Sequence, residues 1–258
     1  MTISTQSGVS HRTRARAIEL GHRIFGRVPA SLGGHLHRLP TQLTFGITGP
    51  FNGQKQRVAA VAAMFRAVPF ATVIETGTYR ALTTRHLRSV TPAPIATIEV
   101  NRRYFDYSRR RLRNYAGIHQ FLGHSPAVLD RLRQDQEWHA EPCFFYLDAH
   151  WLDDLPLLDE LHVIRQGWRD FAALIDDFRV DGDAGYQYDD YGAGKTLALP
   201  LLTAVTELAD LHVFWPAAPS AGESGARRGW VLLASPGSVA DALARLPELR
   251  HAGSLGDR

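Results

Sequence analysis

The 258 residues contain one cysteine, Cys143, and only two methionines. A single thiol cannot close a disulfide within the chain, so no covalent staple supports the fold and a reducing compartment is expected. No apolar run approaches the roughly 20 residues that cross a bilayer, and no stable membrane insertion is expected. The first ten residues lack the apolar core of a secretory signal, which predicts a cytoplasmic protein. A strong charge of one sign is also missing. Lys and Arg number 29 against 26 Asp and Glu, a net charge of +3. That excess is too small to point to nucleic acid. The twelve histidines show no zinc-ligand spacing. Neither an internal repeat nor a second domain is visible.

What is present is ordinary for a soluble enzyme. Hydrophobic residues make up 45% and charged residues 21%, enough to bury one core. Residues 1–40 read as a basic extension, disordered at first and then helical. Arg12, Arg14, Arg16, Arg23 and Arg27 alternate there with apolar residues at helical spacing. Such a helix packs on its own domain, on a second copy of the chain, or on a membrane surface. Residues 41–258 read as a single domain.

Within that domain the pattern alternates. Short apolar strands are expected at 71–75, 95–100, 118–122, 143–147 and 171–175. Helical spacing falls between them and ahead of the first, over 55–65. Two further strands, 211–215 and 230–234, are joined by a connection short enough to make them antiparallel. The prediction is a doubly wound α/β fold with a seven-stranded, mostly parallel sheet ending in an antiparallel pair. Residues 179–195 interrupt the pattern with Gly, Asp and three tyrosines, and read as a lid.

Polar residues collect where the strands end, which is where open α/β sheets bind ligands. The first turn reads Glu75-Thr76-Gly77-Thr78. It has one glycine, not the three of a dinucleotide fingerprint, and its acid would repel a pyrophosphate. The turn suits a cationic, phosphate-free ligand such as S-adenosylmethionine. Glu99 closes the second strand, where a carboxylate can accept both hydrogen bonds of a ribose diol or simply face solvent. Asp148 ends the fourth strand and Asp176-Asp177 the fifth. Adjacent strands lie only ~4.8 Å apart, so these acids converge and need a cation or a proton between them. Oxygen-only ligands suit magnesium or a similar ion. The blander alternative makes Asp176 a cap and Asp177 a solvated loop acid. His150, two residues beyond Asp148, can reach the same rim and serve as a general base, or be a histidine satisfied locally.

With these pieces assembled, residues 50–234 resemble the class I S-adenosylmethionine-dependent methyltransferases. They are similar in particular to the bacterial metal-dependent small-molecule O-methyltransferases of the macrocin type. The matching segments are Glu75-Thr-Gly-Thr, Ile98-Glu99-Val100, Leu122-Gly123-His124-Ser125, Tyr146-Leu147-Asp148-Ala149-His150 and Ile175-Asp176-Asp177-Phe178. The resemblance implies that Glu75, Thr76, Gly77 and Thr78 flank the methionine part of the cofactor. It implies that Glu99 holds the ribose and that His124 and Ser125 lie beside the adenine. Asp148 would border the cofactor, take part in catalysis with His150, and bind metal with Asp176 and Asp177. The family often has Asp where this chain has His124, and some relatives have an acid at His150. Tyr186, Tyr188, Tyr191, Glu223 and Arg227 are expected to contact the acceptor. A sugar hydroxyl is the first expectation, because tyrosine faces suit a sugar and its high pKa needs help. A phenol or another natural-product hydroxyl is the next. A nicotinamide-dependent oxidoreductase and a non-catalytic cofactor-binding protein are the readings from other classes. A homo-oligomer is compatible with the basic extension.

Overall fold

The computed structural model describes residues 49–150 and 154–258. The basic extension lies outside the described residues. Eight strands form one sheet in the order β3-β2-β1-β4-β5-β7-β6-β8. β1 (Thr72–Thr76), β2 (Ile95–Glu99), β3 (Ile118–Leu122), β4 (Cys143–Leu147) and β5 (Phe171–Asp176) run parallel. β6 (His212–Pro216), β7 (Trp230–Ala234) and β8 (Leu249–Ser254) complete the sheet with antiparallel pairings. The expected antiparallel pair is therefore present, and β8 extends it to a group of three. β8 lacks an apolar run: Leu249 is buried, whereas Arg250 and His251 are exposed. An edge strand with one polar face carries little sequence signal.

Helices cover both faces because the central strands are apolar on both sides. α1 (Lys55–Ala67), α2 (Leu82–Val90) and α7 (Ser238–Leu243) pack on one face. α4 (Ser125–Leu132), α5 (Leu157–Gly167) and the short α6 (Leu199–Thr203) pack on the other. α3 (Arg102–Leu112) connects β2 to β3. Strand alternation decides which side chain meets which helix. In β5, Ala172 and Leu174 face the α1 side, while Phe171, Ala173 and Ile175 face the α5 side.

Register places the site. Thr76 pairs with both Ile98 and Leu147, and Leu147 with Ile175. The next residues along these strands, Gly77, Glu99, Asp148 and Asp176, therefore share one row at the carboxyl rim. Strand order reverses between β1 and β4, and ligands bind at such a switch point in doubly wound sheets. No helix among the described residues is long and apolar enough to cross a membrane.

Candidate active site

A cavity of about 260 Å³ opens at this rim. It is lined by Gly77 and Tyr79 from the turn after β1, Glu99, Val100 and Asn101 from the end of β2, and Gly123, His124 and Ser125 before α4. Asp148, Ala149, His150, Asp154, Asp177 and Asp189 line it as well. Among the described residues, neither Lys nor Arg lines it.

Gly77 has φ +85°, and a Cβ on it would sit 2.1 Å from the Asp148 carbonyl oxygen. Only glycine lets the β1 turn lie this close to the end of β4. Its neighbours differ in access. Glu75 is buried beneath the rim and accepts hydrogen bonds from Thr84 Oγ1 at 2.5 Å and Thr97 Oγ1 at 2.6 Å. Burial pushes its carboxyl up to about 7, against the pull of the two threonines. Thr76 is buried within β1, and Thr78 faces a smaller adjoining pocket shared with Asn52 and Asp148. Gly77 is thus the residue of this motif that reaches the main cavity.

Glu99 is held in place by the backbone. Tyr79 N–H donates to Oε2 at 2.7 Å and Asn101 N–H to Oε1 at 2.8 Å. Each oxygen keeps a lone pair for a hydroxyl donor. Burial raises its pKa, and these backbone donors oppose the rise. The Tyr79 and Tyr104 rings meet edge to face at 4.7 Å beside it. His124 is exposed, with Nε2 3.5 Å from Asp154 Oδ2, and Ser125 is buried at the start of α4.

The acids divide into two groups. Asp148, His150 and Asp177 each bring one ligand atom within 4.8 Å of the others. His150 Nε2 lies 4.0 Å from Asp148 Oδ1 and 3.9 Å from Asp177 Oδ2. Asp176 stands outside this trio. Its position in β5 directs it to the α1 face, where Arg57 Nη1 donates to Oδ1 at 2.5 Å. Tyr146 Oη at 2.5 Å and Asn52 Nδ2 at 3.2 Å donate to Oδ2, and the Asp177 N–H donates to Oδ1 at 2.7 Å. Burial disfavours its charge, but Arg57 and these donors outweigh that and hold the carboxyl below the usual range. Asp148 shows the reverse. Burial beside Asp176 and Asp177 lifts its pKa well above normal. Asp177 is also raised by burial, with Arg228 pulling against it. Asp177 sits at φ +54°, a conformation that non-glycine residues adopt sparingly.

The acceptor residues expected from the sequence scatter. Tyr186 and Tyr191 are buried in the core, at 2% and 7% exposure, while Tyr188 is 40% exposed. Segment 179–195 is laced to its surroundings: Gln187 N–H donates to Arg227 O, Asp189 N–H to Asp177 O, and Leu197 N–H to Asp189 O. The apolar bodies of two tyrosines anchor it, which explains why aromatics occur in a glycine-rich loop. Glu223 is buried and accepts the N–H groups of Gln56 and Arg57 in the first turn of α1, the favourable position for a carboxylate. Arg227 is exposed. Its neighbour Arg228 pairs with both Asp177 and Asp189.

Arg57, Asp154 and Asp189 are not among the site residues expected from sequence. Arg57 had a signal, since it shares a buried stripe with Ala60, Val61 and Met64. A charge at that helical spacing implies a buried partner.

No protein-family model matches the chain, and no curated protein matches it. Solved structures do. The O-methyltransferase from Bacillus cereus, in complex with SAH, aligns at a TM-score of 0.51 and 12% identity, over 86% of this chain and 97% of that one. A candidate O-methyltransferase from Klebsiella pneumoniae aligns at 0.51 and 16% identity, over 91% and 93%. A cofactor-bound protein from MTB aligns at 0.50 and 16% identity, over 88% and 98%. The chain has the class I methyltransferase fold.

Proposed function

We propose that this chain transfers a methyl group from S-adenosylmethionine to a hydroxyl oxygen of a small molecule. One observation carries the reading. A single cavity at the switch point contains a glycine-tight turn, a backbone-held glutamate and a converging Asp148–His150–Asp177 trio. Gly77 admits the methionine portion, Glu99 accepts the ribose hydroxyls, and His124 and Ser125 border the adenine. The acidic lining suits a sulfonium cation and rejects an anionic acceptor. Asp148, Asp154 and Asp177 offer acceptors to a hydroxyl-rich molecule, so a carbohydrate is our first choice of substrate. Of the loop tyrosines, Tyr188 is the exposed one and is our choice to stack on it.

In the transfer, the C–S bond breaks as the O–CH₃ bond forms, and sulfur keeps the electron pair. The protein's part is alignment of acceptor oxygen, methyl carbon and sulfur. The acceptor proton leaves towards water, with Asp148 and His150 as the facing groups able to take it. The donor set of the trio fits a divalent cation, because two carboxylates face a buried imidazole nitrogen that has no hydrogen-bond partner among the described residues. A divalent ion bound there would lower the pKa of the acceptor hydroxyl.

Isothermal calorimetry with S-adenosylhomocysteine and with NADH tests the cofactor, and a panel of sugars and phenols tests the acceptor. Saturable binding of S-adenosylhomocysteine, with methyl transfer to a sugar, is expected. Binding of NADH alone would overturn the assignment.

A further inference from the structure

His150 stands in a different relation to its carboxylates than an ordinary histidine. Its side chain is 3% exposed, and Nε2 is buried without a hydrogen-bond partner among the described residues. A buried ring nitrogen normally finds a partner, because leaving it unpaired costs about 1–3 kcal/mol. Each flanking carboxylate has one oxygen engaged and the other turned towards this nitrogen. Tyr146 Oη shares its one proton between Asp176 Oδ2 and, at 3.3 Å, Asp148 Oδ2, and Asp148 Oδ1 lies 4.0 Å from Nε2. Arg228 Nε donates to Asp177 Oδ1 at 2.5 Å, and Asp177 Oδ2 lies 3.9 Å from Nε2. Three atoms remain: Asp148 Oδ1, His150 Nε2 and Asp177 Oδ2. Both nitrogen–oxygen separations are too long for hydrogen bonds. They suit ligands of one ion. Metal–nitrogen and metal–oxygen distances near 2.0–2.2 Å place neighbouring donors about 3.0–3.5 Å apart. Closing on an ion therefore needs shifts of under ~1 Å.

Asp176 offers a contrast within the same rim. Its two oxygens already accept from Arg57, Asp177 N–H, Tyr146 and Asn52. It has little capacity left for an ion. Its role is to hold Tyr146, which in turn orients Asp148.

The geometry points to a cation site made of Asp148 Oδ1, His150 Nε2 and Asp177 Oδ2, selective for a transition ion such as Mn²⁺, Co²⁺ or Zn²⁺ over Mg²⁺. This rests on the reading of the cavity given above, and deepens it by naming the ion class and ligand set. Magnesium favours oxygen ligands and retains its waters, whereas imidazole nitrogen suits later first-row ions. Two carboxylates and one imidazole on one side of an ion leave its other positions for water or the acceptor. With Nε2 and Asp148 Oδ1 both committed to the ion, water remains as the proton's route.

The test uses the full chain stripped with chelator and loaded with Co²⁺, whose visible bands report its ligands. Mg²⁺ and Mn²⁺ are titrated by competition. We expect one Co²⁺ per chain, bound at least about tenfold more tightly than Mg²⁺, with paramagnetically shifted imidazole proton resonances. His150→Ala should abolish the shifted resonances, change the bands and weaken Co²⁺ binding about tenfold or more. It should alter Mg²⁺ binding much less. His150→Gln, which keeps bulk and polarity, guards against a folding artefact, and circular dichroism verifies both variants. Unchanged Co²⁺ affinity and spectrum in folded His150 variants would overturn the inference, as would equal or tighter binding of Mg²⁺ by the wild type. S-adenosylhomocysteine binding is measured on the same samples. Co²⁺ binding without it would leave the metal site standing and remove the methyltransferase reading. The converse would remove only the metal site.

Discussion

Arg57 Nη1 and Asp176 Oδ1 form an ion pair of 2.5 Å with both side chains essentially out of water. The pair joins α1 to the end of β5 and fixes one wall of the site. Removing one member of a buried pair leaves an uncompensated charge and typically costs about 3–5 kcal/mol. Asp176→Ala should therefore lower stability in urea by that order. A variant as stable as the wild type would show that the pair adds nothing to folding.

The two glutamates of the cofactor rim should separate in a binding assay. Glu99 lines the cavity, whereas Glu75 lies beneath it on two threonines. Hydrogen bonds to a charged group contribute about 1.5–3 kcal/mol, so Glu99→Ala should weaken S-adenosylhomocysteine about 10- to 100-fold. Glu75→Gln should change the affinity less than threefold. Calorimetry on both variants checks the contrast, and equal losses would contradict it.

These residues also show what the sequence revealed. Alternating strands and helices gave the sheet, its parallel direction and the antiparallel return, because apolar runs and turn residues act locally. The rim row of Gly77, Glu99, Asp148 and Asp176 was legible from the strand ends. The direction of Asp176 was not read, although it shares strand parity with Leu174. The adjacency of β4 and β5 suggested convergence, and Arg57 is 119 residues away in the chain. A long-range partner of this kind leaves no local pattern. Tyr186 and Tyr191, expected from the sequence to contact the acceptor, are buried for a related reason. Glycine-rich composition signals a loop, but whether its aromatics face outward depends on packing from elsewhere.

Glu160, behind the cavity wall, supplies a pH test. It is 1% exposed, and burial raises its carboxyl to about 7, with the nearby Ser125 and Thr76 hydroxyls pulling the other way. The native state then holds a proton that the unfolded chain releases near 4.5. Its contribution is present in full below pH 4.5 and is lost as pH rises to about 7. Each such proton gives a slope of about 1.4 kcal/mol per pH unit. Glu160→Gln should shed this slope, gaining on the wild type between pH 5 and pH 8. Parallel stability curves across that range would refute the assignment.

The loop tyrosines make a second contrast. Tyr188→Ala should raise the acceptor KM several-fold with little change in thermal midpoint, because Tyr188 is 40% exposed. Tyr191→Ala should instead lower stability by about 3 kcal/mol or more, the usual cost of emptying a large aromatic site. Thermal melts and acceptor kinetics on the two variants distinguish them. A KM unaffected by Tyr188→Ala would remove that side chain from the acceptor site.

Gly225 lies against the backbone of Asn52 and Gly53, where a Cβ would come within 2.3 Å of the Asn52 carbonyl oxygen. Ala226 N–H donates to Asn52 O, Ser224 Oγ to Gly53 O, and Gln54 Nε2 to both Ala226 O and Arg228 O. Two stretches more than 160 residues apart in sequence thus behave as one piece, and that piece carries Asn52 into the cavity wall. Any engineering of acceptor choice inherits that linkage. Grafting the 216–229 connection from another protein, without residues 49–54 to match, would transplant half of a joint.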